Sequence, residues 1–367
     1  MWWLAAWGSD ERLREEQKGP DERLREEQRV PMNDELRRLV DDLGRRSFDA
    51  QQGRRTRPET LDGDLWRHLE ETGLSRLTSA QDAGPAESAI VLAGLARHSV
   101  AAPVAETDLL AGWLAAGAGL DVPASGPLTV AACAAQIDHG RLTGIAHEVP
   151  WPQDATVLLA ARTGDALYTA VLDDPRITGS HNLAGEPRGA VTVDVAVDDC
   201  RRLDPVTGDE LTLRGAWARC VQTVGAFDAA LELTVAHTRT REQFGRPLSR
   251  FQAVQHALAA MAGEIERARA TADLAVAAAV DHGFGSAQAD YAITAAKVTV
   301  GRAVEPVTTI AHQLHGAIGV TAEHPLWLST MRARSWIDEF GSTARYARIL
   351  GRRALAAADP WDVLVGP

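Results

Sequence analysis

The sequence predicts an α+β protein in three parts: an N-terminal helical domain over residues 32–120, a small middle β domain over 121–205, and a C-terminal four-helix bundle over 206–367, all behind an extension at 1–31. Three observations carry this expectation. Apolar residues recur at helical spacing on both sides of a stretch, about Pro127 to Cys200, in which the grammar becomes that of strands. Within it, Val191-Thr192-Val193-Asp194-Val195-Ala196-Val197 alternates strictly, as a half-buried strand does. After Pro205 the apolar positions fall into four long helical pieces with short connections, the pattern of an antiparallel bundle.

The extension is unlike the rest. Met1 to Trp7 is apolar but has no basic flank ahead of it, and Asp10 to Gln17 recurs residue for residue at Asp21 to Gln28. A charge-dense duplicated octamer has almost no apolar face to bury, so it reads as a tag-like addition or a partner-binding tail, with Met32 as the natural start. From Asn33 to about Ala116 the pattern is helical, and Leu65 to Gly73 ends on a glycine placed as a C-cap. Val157–Arg162 and Ala166–Leu172 are apolar runs separated by Thr163-Gly164-Asp165, which punctuates a hairpin. In the bundle one helix is expected from about Gly215 to Arg239. A second starts at Ser249 with Gln252 as a capping box, its Phe251, Val254, Leu258, Met261 and Ile265 on one face, and ends at Gly283-Phe284-Gly285. A third runs from Ala287 to His315 and should kink at Pro306; a fourth runs unbroken from Pro325 to Ala357.

Composition narrows the function. Across 367 residues, 45% hydrophobic and 24% charged is a globular balance with ample material for a core. Lys+Arg number 38 against 50 Asp+Glu, a net charge of −12, which argues against a non-specific binder of nucleic-acid phosphates. No apolar run approaches the roughly 20 residues that span a bilayer. Cys133, Cys200 and Cys220 are odd in number and lack CxxC spacing, so neither a disulfide framework nor a zinc site is expected, and a cytoplasmic location is.

Two stretches carry more than pattern. The first is Thr240-Arg241-Glu242-Gln243-Phe244-Gly245-Arg246-Pro247-Leu248 with Phe251-Gln252-Ala253-Val254-Gln255-His256 behind it. The second is His312-Gln313-Leu314-His315-Gly316-Ala317-Ile318-Gly319-Val320, followed by Glu323-His324-Pro325-Leu326 and Arg332-Ala333. Together they resemble the C-terminal domain of the acyl-CoA dehydrogenases, in order and in separation. Weaker similarities, among them Trp66 to Leu74, Ala101 to Thr107 and Gly140 to Gly144 before Val149-Pro150, extend the resemblance over most of the chain from Met32. It is nearest to the short actinobacterial heteromeric members that act on acyl-CoA thioesters with bulky, often steroid, side chains.

The resemblance implies FAD lying across a subunit interface, an acyl-CoA substrate, and an electron-transfer flavoprotein as electron acceptor. Arg241 matches the arginine that pairs with the flavin diphosphate of a neighbouring subunit, a role suited to a guanidinium fork. Gln243 and Phe244 match the other contacts of that turn. Gln313, His315 and the Gly316-Ala317 backbone match the segment approaching the adenine end, with Ala317 in place of a second family glycine. His256 and His324 read as structural histidines rather than acids or bases, and Trp327 and Trp336 as core or interface rather than an acyl pocket.

Against this stands an absence. The family's base is a glutamate from one of two places, and carrying Gln313 forward without a gap puts Phe340 on the commoner one. Glu339 is adjacent, but one residue along a helix turns a side chain by about 100°. The other place falls on Gly215 or Ala216, with Glu210 nearby on an expected loop. Leu128 to Cys133 also runs almost directly into Gln136 to Arg141, so the family's flavin-binding loop at the head of the β domain is missing. No catalytic residue is identified. The expectation is a subunit of an α2β2 acyl-CoA dehydrogenase whose partner supplies the base. The alternatives are a self-sufficient homotetramer using Glu339 or Glu210, a non-catalytic structural subunit, and, further off, a flavin monooxygenase of the same fold.

Overall fold

The computed structural model describes residues 20–51, 60–80, 83–164 and 166–364. Met1–Trp7 and the first octamer lie outside the described residues. The second octamer falls within helix α1 (Pro20–Gln51), which runs through Met32 without a break.

Helix α2 (Gly63–Glu71) starts because the Asp62 carboxylate accepts the Asp64 and Leu65 N–H groups, and it stops at Gly73 with φ 73°. It buries Leu65, Trp66 and Leu69. Helix α3 (Pro85–Arg97) opens on a proline, and Glu87 reaches back to accept from the Gly84 N–H at 2.9 Å. A π-helical stretch, Glu106–Gly112, then leads into α4 (Trp113–Ala118). Its wider winding buries two carboxylates close together, Glu106 and Asp108. Asp108 accepts from the Thr78 and Ser79 N–H groups and the Ser79 hydroxyl.

The middle domain is one seven-stranded sheet of β1 (Leu128–Asp138), β2 (Arg141–Pro150), β3 (Thr156–Thr163), β4 (Ala166–Val171), β5 (Ile177–His181), β6 (Pro187–Ala196) and β7 (Arg201–Leu203), in the order β5-β6-β2-β1-β3-β4-β7. The hairpin expected at Thr163-Gly164-Asp165 is formed by β3 and β4. Strand β1 is continuous over Leu128–Asp138. Leu128–Ala134 pairs in parallel with β3, and Ala135–Asp138 pairs antiparallel with β2, so one strand joins the two halves of the sheet.

The bundle comprises α5 (Pro205–Thr240), α6 (Gln252–His282), α7 (Ala287–His315), α8 (Leu326–Trp336) and α9 (Thr343–Ala356). Helix α5 begins ten residues before the expected Gly215, because Asp204 caps it, accepting the Val206 N–H at 2.9 Å, with Pro205 in its first turn. Glu210 therefore lies on a helix and not on a loop. The Ser249 capping box does not form: a 3₁₀ turn, Leu248–Arg250, intervenes and Phe251 takes the cap position. Helix α7 continues through Pro306. The expected fourth helix is two helices, broken at Ile337–Ser342 where Phe340 (φ 56°) and Gly341 (φ 111°) turn left-handed.

One hydrophobic core joins the helical parts, from Leu69, Leu92 and Leu109 through Trp217 and Phe227 to Ile265, Ile293 and Trp336. Helices α3 and α5 touch closely at Gly225, where an added Cβ would lie 2.2 Å from the Ala93 carbonyl oxygen. A second cluster (Leu110, Leu114, Leu128, Val130, Leu158, Leu211) seats the sheet against α4 and α5, with Phe340 packed on it.

Candidate active site

A cleft of about 680 Å³ lies between the sheet and the helix break. Val130 and Ala132 of β1 with Val149 and Pro150 of β2 give it an apolar wall. A bulge between Ala146 and Val149, with Glu148 at φ 54°, brings His147 and Glu148 to the same cleft. Opposite are Thr212 of α5, Arg334 and Ser335 of α8, and Asp338, Glu339 and Phe340 of the break.

The break is held by two buried side chains. Lys297, fully buried on α7, donates to the carbonyls of Ile337 and Glu339, the latter at 2.9 Å. The Tyr346 hydroxyl donates to the Phe340 carbonyl at 2.9 Å. These donors satisfy carbonyls that the end of α8 would leave without partners, which fixes Phe340 in its strained conformation. Burial lowers the Lys297 pKa and pushes the neighbouring Cys220 thiol up to about 12, so that thiol stays protonated.

Phe340 and Gly215, one residue from each of the two places where the resemblance looks for a base, meet. A Cβ built on Gly215 would lie 2.4 Å from the Phe340 ring. Only a residue without a side chain fits beneath the ring. Both positions are therefore apolar, and each fills the space of the other.

Glu339 is engaged elsewhere. Its carboxylate accepts from Arg188 at 2.6 and 3.1 Å and from Arg219 at 2.6 Å. Arg219 also pairs with Glu106, while Glu186 takes Arg332 at 3.0 Å and Arg188 at 3.5 Å. The network is balanced, with Glu106, Glu186 and Glu339 against Arg188, Arg219 and Arg332. Burial alone would raise the Glu186 pKa, but Arg332 and Arg188 more than reverse it. Burial works against the charge on Arg219 too, yet Glu106 and Glu339 hold its pKa above the ordinary value. Glu210 is likewise paired, with Arg214 at 2.9 Å, and Arg214 lies over the Trp113 and Phe284 rings. None of the network's arginines or Lys297 was singled out from sequence as functional. The available signal was a lysine among small and β-branched residues, Ala295-Ala296-Lys297-Val298, on a helix with little polar surface.

The second group of expected residues gathers at one end of the bundle. Glu242–Gln243 and Arg246–Pro247 form a two-stranded ribbon whose tip, Phe244-Gly245, is left-handed at φ 53° and 76°. Arg241 and Gln243 are exposed, and Phe244 is 92% exposed. Gln313, Gly316 and Ala317 are exposed beside it, the last two opening the 3₁₀ turn Gly316–Val320. The two stretches meet through His237: its carbonyl accepts the Arg241 N–H at 2.8 Å, and its ring stacks on His315 at 4.4 Å. His315 differs from its neighbours in being buried, with Nδ1 2.8 Å from the Ala311 carbonyl. His256 is exposed and His324 half-buried; Trp336 is in the core, donating to Glu186 at 2.8 Å, and Trp327 is half-buried.

For a flavin dinucleotide the fit is uneven. The exposed Arg241–Gln243 turn and the open Gly316-Ala317 backbone suit a diphosphate and an adenosine presented from outside. The cleft offers an apolar wall, but unbroken β1 takes the place of a donor-bearing loop. No described helix is long and apolar enough to cross a membrane.

Comparison with known proteins agrees with this architecture. Residues 211–355 match the family model described as "Acyl-CoA dehydrogenase, C-terminal domain". Over 297 residues the chain is 28% identical to acyl-CoA dehydrogenase IpdE2 of Mycolicibacterium smegmatis, covering 79% of this chain and 87% of that one. Among solved structures it is similar to the ChsE4–ChsE5 complex from Mycobacterium tuberculosis (TM-score 0.77, 22% identity, 89% of this chain and 97% of that chain). It is also similar to the steroid ACAD Tcur3481–Tcur3483 (TM-score 0.78, 25% identity, 89% and 99%).

Proposed function

We propose that the chain is an acyl-CoA dehydrogenase family member, the subunit without a catalytic base in a heteromeric, FAD-dependent α2β2 acyl-CoA dehydrogenase acting on an acyl-CoA with a bulky, steroid-type side chain. The observation that carries the proposal is the Phe340–Gly215 contact: an aromatic ring and a bare glycine pack together at positions to which the resemblance points for a glutamate, Gly215 being one of two candidates for its place with Ala216. The engagement of Glu339 by two arginines supports it. A carboxylate held by two guanidiniums is a poor acceptor for the α-proton of a thioester. That both solved relatives carry two chain names supports a second chain here.

On this reading the reaction removes a proton from Cα and a hydride from Cβ. Bound FAD supplies the hydride acceptor. This chain would hold the diphosphate of FAD through Arg241, with Gln243 and Phe244 as the other contacts of that turn, and the adenosine through the Gln313–Ala317 segment, His315 and Gly316 included. The partner's carboxylate would take the proton, and an electron-transfer flavoprotein would be the electron acceptor of the assembly.

The test is the flavin-to-polypeptide ratio, by absorbance and native mass, of the chain alone and co-expressed with its family neighbour. The expected result is little flavin alone and about one FAD per pair of chains in a mixed tetramer. One FAD per chain with turnover, from this chain alone, would overturn the proposal. Arg241→Ala should lower FAD occupancy of the mixed tetramer, whereas a purely structural subunit would leave it unchanged.

A further inference from the structure

At the ribbon end of the bundle three imidazoles converge that the dehydrogenase reading does not use as a set: His237 in the last turn of α5, His315 at the end of α7, and His324 just ahead of α8. We propose that His237, His315 and His324 form a binding site for a divalent transition-metal ion of the Zn²⁺ class, with its fourth position open to water or an external oxygen ligand.

Geometry carries the argument. One nitrogen of each ring lies within 4.8 Å of the others. Ring centroids are 4.4 Å apart for His237–His315, 4.6 Å for His315–His324 and 6.2 Å for His237–His324. Two imidazoles bound at about 2.0–2.1 Å to one tetrahedral ion have centroids about 5 Å apart, so these values bracket the requirement. The His237 and His315 rings stack with 23° between their planes, so coordination requires one of them to turn its nitrogen edge toward the shared ion.

The polar groups agree. His315 Nδ1 lies 2.8 Å from the Ala311 carbonyl, so Nδ1 carries the proton and Nε2 a lone pair, the orientation that a carbonyl behind a histidine gives it as a metal ligand. That Nε2 is buried without a hydrogen bond of good geometry, an unusual state for an imidazole nitrogen and one that coordination would end. His324 accepts the Leu326 N–H on Nδ1 at 3.2 Å, a long contact that ligation would give up.

The charge that opposes a cation here is Arg241, which is exposed, so solvent screens its repulsion. His312 has its Nε2 2.9 Å from the Thr330 hydroxyl and so is engaged outside the set. Sequence reading expected no metal site because it looked for cysteine spacing, whereas these ligands come from three separate stretches.

The test uses the full chain, stripped with EDTA and dialysed into metal-free buffer, then titrated with Zn²⁺ by calorimetry and with Co²⁺ by visible absorption. The expected result is one ion per chain and the d–d absorption of low-coordinate Co²⁺ on nitrogen ligands. His237→Gln and His324→Gln, both at half-buried positions, should each weaken binding by about 100-fold, the upper end of what one ligand-shell change costs. His256→Gln, at an exposed histidine elsewhere, should not change it. Absence of stoichiometric binding, or binding that survives in the His237→Gln/His324→Gln double variant, would overturn the proposal. Neither readout depends on flavin or on turnover, so failure here is distinct from failure of the half-site reading.

Discussion

Replacing Glu339 by glutamine keeps its shape and removes its charge. In the native chain this carboxylate faces two guanidiniums, Arg188 and Arg219, whose side chains are 2% and 3% exposed. With the charge gone, the balanced set of three carboxylates and three guanidiniums carries an unpaired positive charge in the interior. Breaking a buried pair on one side costs about 3–5 kcal/mol. Two features reduce that figure: the Glu339 side chain is itself 17% exposed, and the glutamine oxygen still accepts from one arginine. A loss of about 2–3 kcal/mol remains, equivalent to a fall in Tm of about 3–4 °C at roughly 2.1 cal/mol/K of unfolding entropy per residue. Thermal melts of native and Glu339→Gln chains read it directly, and turnover per folded mixed tetramer should stay within about threefold of native. A Tm within about 1 °C of native, together with a thousandfold loss of turnover, would refute the reasoning and return Glu339 to the role of base.

Further expectations follow from named contacts. Gly225→Ala drives a Cβ into the Ala93 carbonyl and should lower stability by about 2 kcal/mol or more in denaturant unfolding, because two helix backbones must separate. Gly215→Ala should be destabilising while Phe340 is present and milder in a Phe340→Ala background, a coupling of about 1–2 kcal/mol in a double-mutant cycle. Acidification of the metal-free chain should act in two windows. The folded-state pKa values of His237, His315 and His324 are depressed, so stability present above about pH 6.5 declines as pH falls, His324 contributing down to about 4. The depressed Glu186 carboxyl adds a further loss below its ordinary pKa of 4.5, where the unfolded chain takes up a proton that the folded network resists. A urea-midpoint series against pH resolves the two, and His324→Gln should flatten only the first.

What could be read from sequence depended on how local each signal was. Alternation at Val191–Val197 and the apolar runs around Gly164 specified their strands, because side-chain period and hairpin punctuation act over a few residues. The start of α5 is equally local, written in Asp204-Pro205, ten residues ahead of the apolar run that marks the helix by periodicity alone. The break after α8 was not local. Nothing between Trp336 and Thr343 forbids a helix except Gly341, and the turn is fixed by Lys297 and Tyr346 from elsewhere in the chain. The site divided in the same way. Arg241 and Gln313 were found as parts of short motifs, while the meeting of Phe340 with Gly215, and of Glu339 with Arg188 and Arg219, exists only after folding.

The Phe340–Gly215 contact also bears on how such a subunit could change over evolutionary time. A glutamate arising first at position 215 meets the Phe340 ring at its Cβ, before its carboxylate has anywhere to go. One arising first at 340 inherits a left-handed backbone, leaves a gap over Gly215, and sets a second carboxylate beside Glu339. Each single step lowers stability before either could restore a base. Once both positions had become apolar, selection would have had no uphill path back through one substitution. On the proposed half-site reading, loss of the base would behave as a ratchet, and dependence on a second chain would become a one-way commitment.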